Sequence, residues 1–529
     1  MRKKEYGQSA RRLVLGTAVL GLVGCGGGGD GGENIAGTGG GSGGIPYTPG
    51  VFMSSSTFAA QCAAPRTGID PATGRRYPDV PGSVIAENHW LRSWTNELYL
   101  WYREVPDVNP ANSPTTEAYF ELQKTTATTA SGNPKDKFHF TFPTEQWRQL
   151  SQSGVQAGYG AEWLIVSGRP PRRVVVAYTQ PNSPATAANL TRGAEVLAVD
   201  GVDINTSTNA GVDTLDAGLF PGSAGETHTF TVRDPGGATR SIQMQSANVT
   251  IDPVQNVQVL STSTGPVGYM LFTDHIATAE SALVAAVQTL RNANVTDLVL
   301  DIRYNGGGFL DIAAELAYMI AGSGPTAGRT FEALRFNDKH TVTDPFTGQP
   351  LIPTPFWTTT AAGQPLPTLN LQRVFVLTGP GTCSASESII NSLRGVNVAV
   401  IQSGSTTCGK PYGFVPEDNC GTTYFSIQFQ GDNAQGFGDY PDGFSPNNTV
   451  GVAGVRVPGC SVADDFSRAL GDPQEKRLAA ALQYRASQSC PAASGFAPGM
   501  LGALGGAISM EQADGVMRRG PWRENRILR

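Results

Sequence analysis

"TDLVLDIRYNGGGFLDIAAELAYMIAG", residues Thr296 to Gly322, decides the fold of this 529-residue chain. It opens on an aliphatic run, passes through three successive glycines, Gly306 to Gly308, and continues in a helical pattern. A short apolar run followed at once by a helix reads as a buried strand feeding an α/β unit. The same order recurs on both sides. "GPVGYMLFTD" reads as a strand, and "ATAESALVAAVQTLRNANV" as a helix with Leu283, Val287 and Leu290 on one face. Downstream, "QRVFVLTGP" is a strand, "SASESIINSLRG" a helix and "NVAVIQSG" a strand. The alternation predicts an α/β domain over residues 253–489 of a multidomain protein.

Two further units precede it. In "AENHWLRSWTNELYLWYREV", Trp90, Trp94, Leu98 and Trp101 recur at spacings of four, four and three, which places them on one helix face turned to a core. Residues 51–152 are expected to form a small, mainly helical unit. Residues 153–252 are strand-rich: "GYGAEWLIV" and "RRVVVAYTQ" are followed by a turn, a short helical piece and the strand "EVLAVDG". This order resembles a PDZ domain, although Asn189 stands where a glycine is usual and Gly-Ala-Glu replaces Gly-Asp. The resemblance implies recognition of a polypeptide C-terminus by strand addition, with Gly158, Tyr159 and Gly160 as the peptide-binding loop.

The N-terminus reads as an export signal. A basic stretch precedes "LVLGTAVLGLVG", an apolar run too short to span a bilayer. It ends in "LVGC", which resembles a bacterial lipobox and implies removal of residues 1–24 and lipidation of Cys25. The glycine-rich residues 25–50 form a linker, and 490–529 carry little periodic pattern and are expected to be disordered. The implied location is the cell envelope, with the chain anchored in a membrane by lipid and facing the periplasm or the outside. Beyond Cys25 there are six cysteines, an even number that suits disulfides in an oxidising compartment. The net charge of −6 gives no electrostatic support to a nucleic-acid partner.

Two turns in the α/β region carry candidate chemistry. In "DIRYNGGGFL", Gly306 and Gly307 sit between a strand and a helix, where backbone N–H groups suit a developing negative charge, or simply make a tight turn. In "LTGPGTCSASESII", Ser384 stands at a helix start, as an N-cap or as an exposed nucleophile. A serine nucleophile needs a base. Among five histidines only His275 lies at a strand end of this region, and the rival is Lys410 in "GSTTCGKP". An ordinary lysine is charged at neutral pH, with a pKa of about 10.4, and an apolar pocket lowers it. The run Gly404 to Lys410 also imitates a phosphate-binding loop, but Pro411 has neither the hydroxyl for Mg²⁺ nor an N–H for phosphate.

Taken in order, "DIRYNGGG", "SASE" and "GSTTCGK" resemble the C-terminal processing peptidases, also called tail-specific proteases. The resemblance covers roughly residues 85–480. It implies a crotonase/Clp-like ββα catalytic core, no cofactor or metal, and polypeptide substrates cleaved by a Ser–Lys dyad. Ser384 would be the nucleophile and Lys410 the general base. The backbone N–H groups of Gly307, Gly306 and Ala385 would form the oxyanion hole. Asp301, Arg303 and Asn305 would shape the glycine turn. Many family members carry a glutamine four residues after the lysine; here it is Phe414, so the group that orients Lys410 is open. Cys383 is a rival nucleophile. A disulfide from Cys408 to either Cys383 or Cys420 would tie the motif loops. The competing class is a non-catalytic peptide or hydrophobic-ligand carrier on the same scaffold.

Overall fold

The computed structural model describes residues 45–492 and 525–527. Cys25, the export signal and most of the glycine linker lie outside them. Among the described residues no helix is long and apolar enough to cross a membrane.

The first α-helix among the described residues is α1 (Val84–Leu98), capped by Ser83, whose hydroxyl accepts the Ala86 N–H. Trp90 and Trp94 stack in a small aromatic core with Phe120 and Tyr424. The helix stops at Leu98, so Trp101 falls beyond the face predicted for it and packs edge-on against Tyr412 instead. Strand β1 (Phe140–Pro143) then pairs with residues 422–425, so this unit contributes a strand to a sheet completed from far along the chain. A disulfide between Cys62 and Cys420 joins the same two regions.

The strand-rich unit follows as β2 (Val155–Gly158), β3 (Ala161–Ser167), β4 (Arg173–Thr179), β5 (Glu195–Val199), helix α2 (Asn209–Leu219), β6 (Thr227–Arg233), β7 (Thr239–Gln245) and β8 (Ala247–Thr250). Its main sheet is antiparallel, in the order β7-β6-β5-β4-β3, and β8 closes back on β2. Trp163, Val174, Val176, Val196, Leu215 and Phe230 fill a core of its own.

The third unit is built on β9 (Val254–Thr262), β10 (Gly265–Phe272), α3 (Ala279–Asn292), β11 (Asp297–Asp301), β12 (Gly307–Phe309), α4 (Leu310–Ala321), β13 (Arg373–Thr378), α5 (Ala385–Gly395), β14 (Ala399–Gly404), β15 (Tyr412–Gly413), β16 (Gly459–Ser461) and α6 (Lys476–Ser487). The central sheet runs β9-β10-β11-β13-β14-β16, parallel except for the edge strand β9. Alternate residues face opposite ways. Met270, Leu300 and Val376 pack on the side of α3, α4 and α5. Tyr269, Val299 and Leu377 pack on the side of Leu478 and Ala481 in α6. Covering both faces explains the near-continuous apolar run in β11, all of which is buried.

From residue 490 onward, the stretch expected to be disordered, two features are described. Cys490 is bonded to Cys460, and Asn525–Ile527 forms strand β17, which pairs in parallel with β12.

Candidate active site

The two chemistry-bearing turns and the lysine loop converge at the carboxyl ends of β11, β13 and β14. Ser384 is the N-cap of α5, with φ 59° and ψ −117°. A non-glycine residue at positive φ is costly and is held there only by its surroundings. Here the surroundings are a network centred on Glu387, one turn into the helix. Its Oε2 accepts the backbone N–H of Ser384 at 3.0 Å and that of Lys410 at 2.8 Å. Its Oε1 accepts the Gly409 N–H at 2.9 Å and the Thr407 hydroxyl. One carboxylate thus clamps the backbone of the nucleophile candidate to that of the base candidate. Burial pushes the Glu387 carboxyl above its ordinary range, and the hydrogen bonds from Thr407, Lys410, Gly409 and Ser384 offset only part of that.

The clamp is doubled covalently. Cys383, next to Ser384, is bonded to Cys408, two residues before Lys410. Of the two pairings open for Cys408, this is the one formed, and Cys420 is taken by Cys62. Cys383 as a free nucleophile is therefore corrected: its sulfur is already bonded and has no thiolate to offer. The Cys408 N–H also donates to the Thr382 carbonyl at 3.0 Å.

Lys410 is fully buried. Its Nζ lies over two aromatic rings, 4.3 Å from the centroid of Phe414 and 4.6 Å from that of Phe138. Phe414 is held in turn by edge contacts with Phe140 and Phe425. The residue that stands in place of a glutamine is thus one wall of the lysine's slot. Phe138 supplies another wall from the N-terminal unit, and no motif in the sequence announced it.

The glycine turn is built around Asn305. Its Oδ1 accepts the Gly307 N–H at 2.9 Å and meets His275 Nδ1 at 3.0 Å; its Nδ2 donates to the Phe272 carbonyl. Its own carbonyl accepts the Cys383 N–H and the Ser386 hydroxyl, both at 3.1 Å, which ties the glycine turn to the serine turn. On the other side, His275 accepts the Phe309 N–H and donates to the Gly307 carbonyl. Gly308 must be glycine: at φ 137° a Cβ would sit 2.5 Å from the His275 carbonyl oxygen. Burial pushes the His275 imidazole down to about 3, against the opposing hydrogen bonds with Asn305 and Gly307. A ring so hard to protonate is a poor general base at neutral pH and serves as a fixed donor to the Asn305 side-chain oxygen.

The residues gathered by these contacts lie mainly between His275 and Phe414, with Phe138, Phe140 and Phe425 reaching in from outside that stretch. Two stretches of the chain match peptidase family S41. Residues 266–414 match the model described as peptidase family S41, and residues 86–138 match the peptidase S41 N-terminal domain. The chain is 29% identical over 271 residues to a carboxyl-terminal-processing protease of Picosynechococcus, covering 50% of this chain and 58% of that protein. It is 26% identical over 231 residues to the chloroplastic carboxyl-terminal-processing peptidase 2 of Arabidopsis thaliana, covering 43% and 44%. The chain therefore spans about half the length of the curated relatives it matches. Among solved structures, a putative S41 protease from Bacteroides fragilis superposes with a TM-score of 0.56 at 22% identity, covering 78% of this chain and 98% of that one. That likeness is one of fold.

Within the S41-matched region, the charged residues of the first motif lie on the opposite side from Ser384. Arg303, fully buried, pairs with Asp301, Asp464 and Glu475, and Tyr269 donates to Asp301 at 2.7 Å. Burial pushes the Asp464 carboxyl up, but Arg477, Arg303 and Arg192 overcome it and hold it well below the usual range. This cluster anchors the end of β11 to the loop before α6. Asp464 and Glu475 carry no local motif; their buried partner Arg303 is the signal that an acid had to be near.

Gly158, Tyr159 and Gly160 form the turn between β2 and β3. A Cβ on Gly160 would strike Ser183, and Tyr159 is buried against Phe230. A cavity of about 570 Å³ opens beside this turn, lined also by Phe142, Trp163, Tyr178 and Phe220. It shares Leu150, Gln156, Thr273 and Asp274 with a smaller pocket that reaches Gly306–Gly308. The loop and the glycine turn thus border two neighbouring pockets with four lining residues in common.

Proposed function

We propose that the chain is a serine endopeptidase that cleaves polypeptides through Ser384 and Lys410. The observation that carries this is the Glu387 clamp, which fixes the backbones of both residues through one carboxylate oxygen. In the reaction, the neutral Lys410 amine takes the proton from the Ser384 hydroxyl, whose oxygen attacks the scissile carbonyl. The developing oxyanion is held by backbone N–H groups at the start of α5, from Ala385, and at the glycine turn, from Gly306 and Gly307. Gly307 must then share its N–H with Asn305, its partner in the present geometry. The leaving amine takes its proton back from Lys410, and water hydrolyses the acyl-enzyme. A crotonase-like ββα core carries this centre, and the antiparallel unit acts as a PDZ-like domain. The cavity beside Gly158–Gly160, and the lining residues it shares with the pocket at the glycine turn, support that domain as the receiver of a substrate's C-terminus. The protein works in the cell envelope on a lipid anchor at Cys25.

Ser384→Ala and Lys410→Ala, assayed separately on an unstructured peptide, should each lower kcat by about 10³-fold or more. Full activity in either variant would refute the dyad. Mass spectrometry of the peptide products reads the position of cleavage.

A further inference from the structure

Strand β12 has two edges. One is filled by His275: the Phe309 N–H donates to its carbonyl and its N–H donates to the Gly307 carbonyl. Backbone groups alternate along a strand, so the Gly308 N–H and carbonyl point the other way. On that other edge lies β17, in parallel register, with Asn525 opposite Gly307, Arg526 opposite Gly308 and Ile527 opposite Phe309. The backbone of the same three residues runs close to α5, whose N-cap is Ser384, and to β15, which starts two residues after Lys410. They therefore sit among all three motifs. Ser384 and Lys410 are both 0% exposed, so a polypeptide can reach them only after something moves.

An exposed strand edge beside a nucleophile takes extended polypeptide by backbone pairing, with little regard for side chains. We propose that residues Asn525–Ile527 are a built-in occupant of this edge, competing with polypeptide substrates for the backbone of Gly308. The proposal rests on the peptidase reading of Ser384 and Lys410. Because the occupant is part of the same chain, its effective concentration is high even if the three pairs are individually weak. Substrate must displace it, so the intact chain works below its capacity, with a raised KM and an unaltered kcat.

The test compares three proteins: the intact chain, a chain ending at residue 524, and a full-length chain with Asn525→Pro, Arg526→Pro and Ile527→Pro, which keeps the length but denies the ladder its N–H groups. Amide hydrogen exchange is followed on the segment containing Gly308, in a Ser384→Ala background to prevent self-cleavage. Exchange there should be at least about tenfold faster in both altered chains, with unchanged far-UV circular dichroism. In the Ser384 background, KM for an unstructured peptide should fall about tenfold. A synthetic peptide with the sequence of Arg523–Arg529 should inhibit the shortened chain competitively, and a scrambled one should not. Unchanged exchange at Gly308 overturns the proposal. Faster exchange with no hydrolysis by any form upholds the docking and instead refutes the peptidase function.

Discussion

Two buried acid clusters stand on opposite sides of the glycine turn, and they are neutralised by different means. Asp301, Asp464 and Glu475 surround the guanidinium of Arg303. Glu387 takes hydrogen bonds from three backbone N–H groups and a threonine hydroxyl. The first arrangement is a rigid anchor, whose charges are matched and whose geometry is fixed by a forked cation. The second holds the backbone of the candidate nucleophile and base without placing another full positive charge beside them. A cation at Glu387 would repel Lys410 in the protonated form that the proposed reaction requires. A hydrogen-bonded carboxylate avoids that, and burial raises its proton affinity instead.

The comparison can be broken most forcefully at the anchor. Arg303→Met leaves buried Asp301 and Glu475 without their shared cation, while Asp464 keeps Arg192 and Arg477, and should cost about 4 kcal/mol, read by denaturant unfolding. Next comes the covalent partner of the Glu387 clamp. Replacing Cys383 and Cys408 together by alanine should lower stability by about 3 kcal/mol. It should reduce kcat only modestly if Glu387 alone holds the loops. Glu387→Gln keeps the volume but turns an amide toward N–H donors. Its expected effect is about a 10²-fold loss of kcat with a smaller loss of stability, because misplacement of reacting groups is costly. If stability falls and kcat does not, Glu387 is merely structural.

The smallest effect is on pH dependence, where the clusters should differ in sign. Asp464 and Glu475 have depressed folded values, so their contribution is present above the ordinary carboxylate range and is lost as pH falls through those values. Glu387 has a raised folded value, so its burial is least costly below the ordinary carboxylate range and the penalty grows as pH rises through the raised one. Between about pH 3 and 8 the acid-side drop in melting temperature should therefore flatten in Arg303→Met, while the deficit of Glu387→Gln against the unaltered chain should shrink toward neutrality. Parallel curves for the two variants would erase the distinction.

Much of this arrangement is legible in the sequence because it is local. Strand–glycine–helix order fixes the glycine turn, and a serine directly before a helix run fixes the elbow. Glu387 stands three residues from Ser384, so its capping contact is also local. What the chain order hides is whatever arrives from far away. Phe138 reaches Lys410 from 272 residues upstream, and Asp464 and Glu475 reach Arg303 from the loop before α6. The helix ending at Leu98 rather than continuing to Trp101 shows the same limit: Tyr412, across the molecule, claims the tryptophan. The strand at Asn525–Ile527 has no periodic signature, because three residues completing another strand's edge need none.

The bond between Cys62 and Cys420 spans 358 residues. It encloses α1, the antiparallel unit, the glycine turn and both halves of the Ser384–Lys410 pair in one covalent loop. A nick in an exposed stretch inside that loop, such as residues 343–352, leaves two pieces that stay attached. On a gel, damage of this kind stays invisible until a reductant is added. Under denaturing conditions the two pieces are then held together by that one bond.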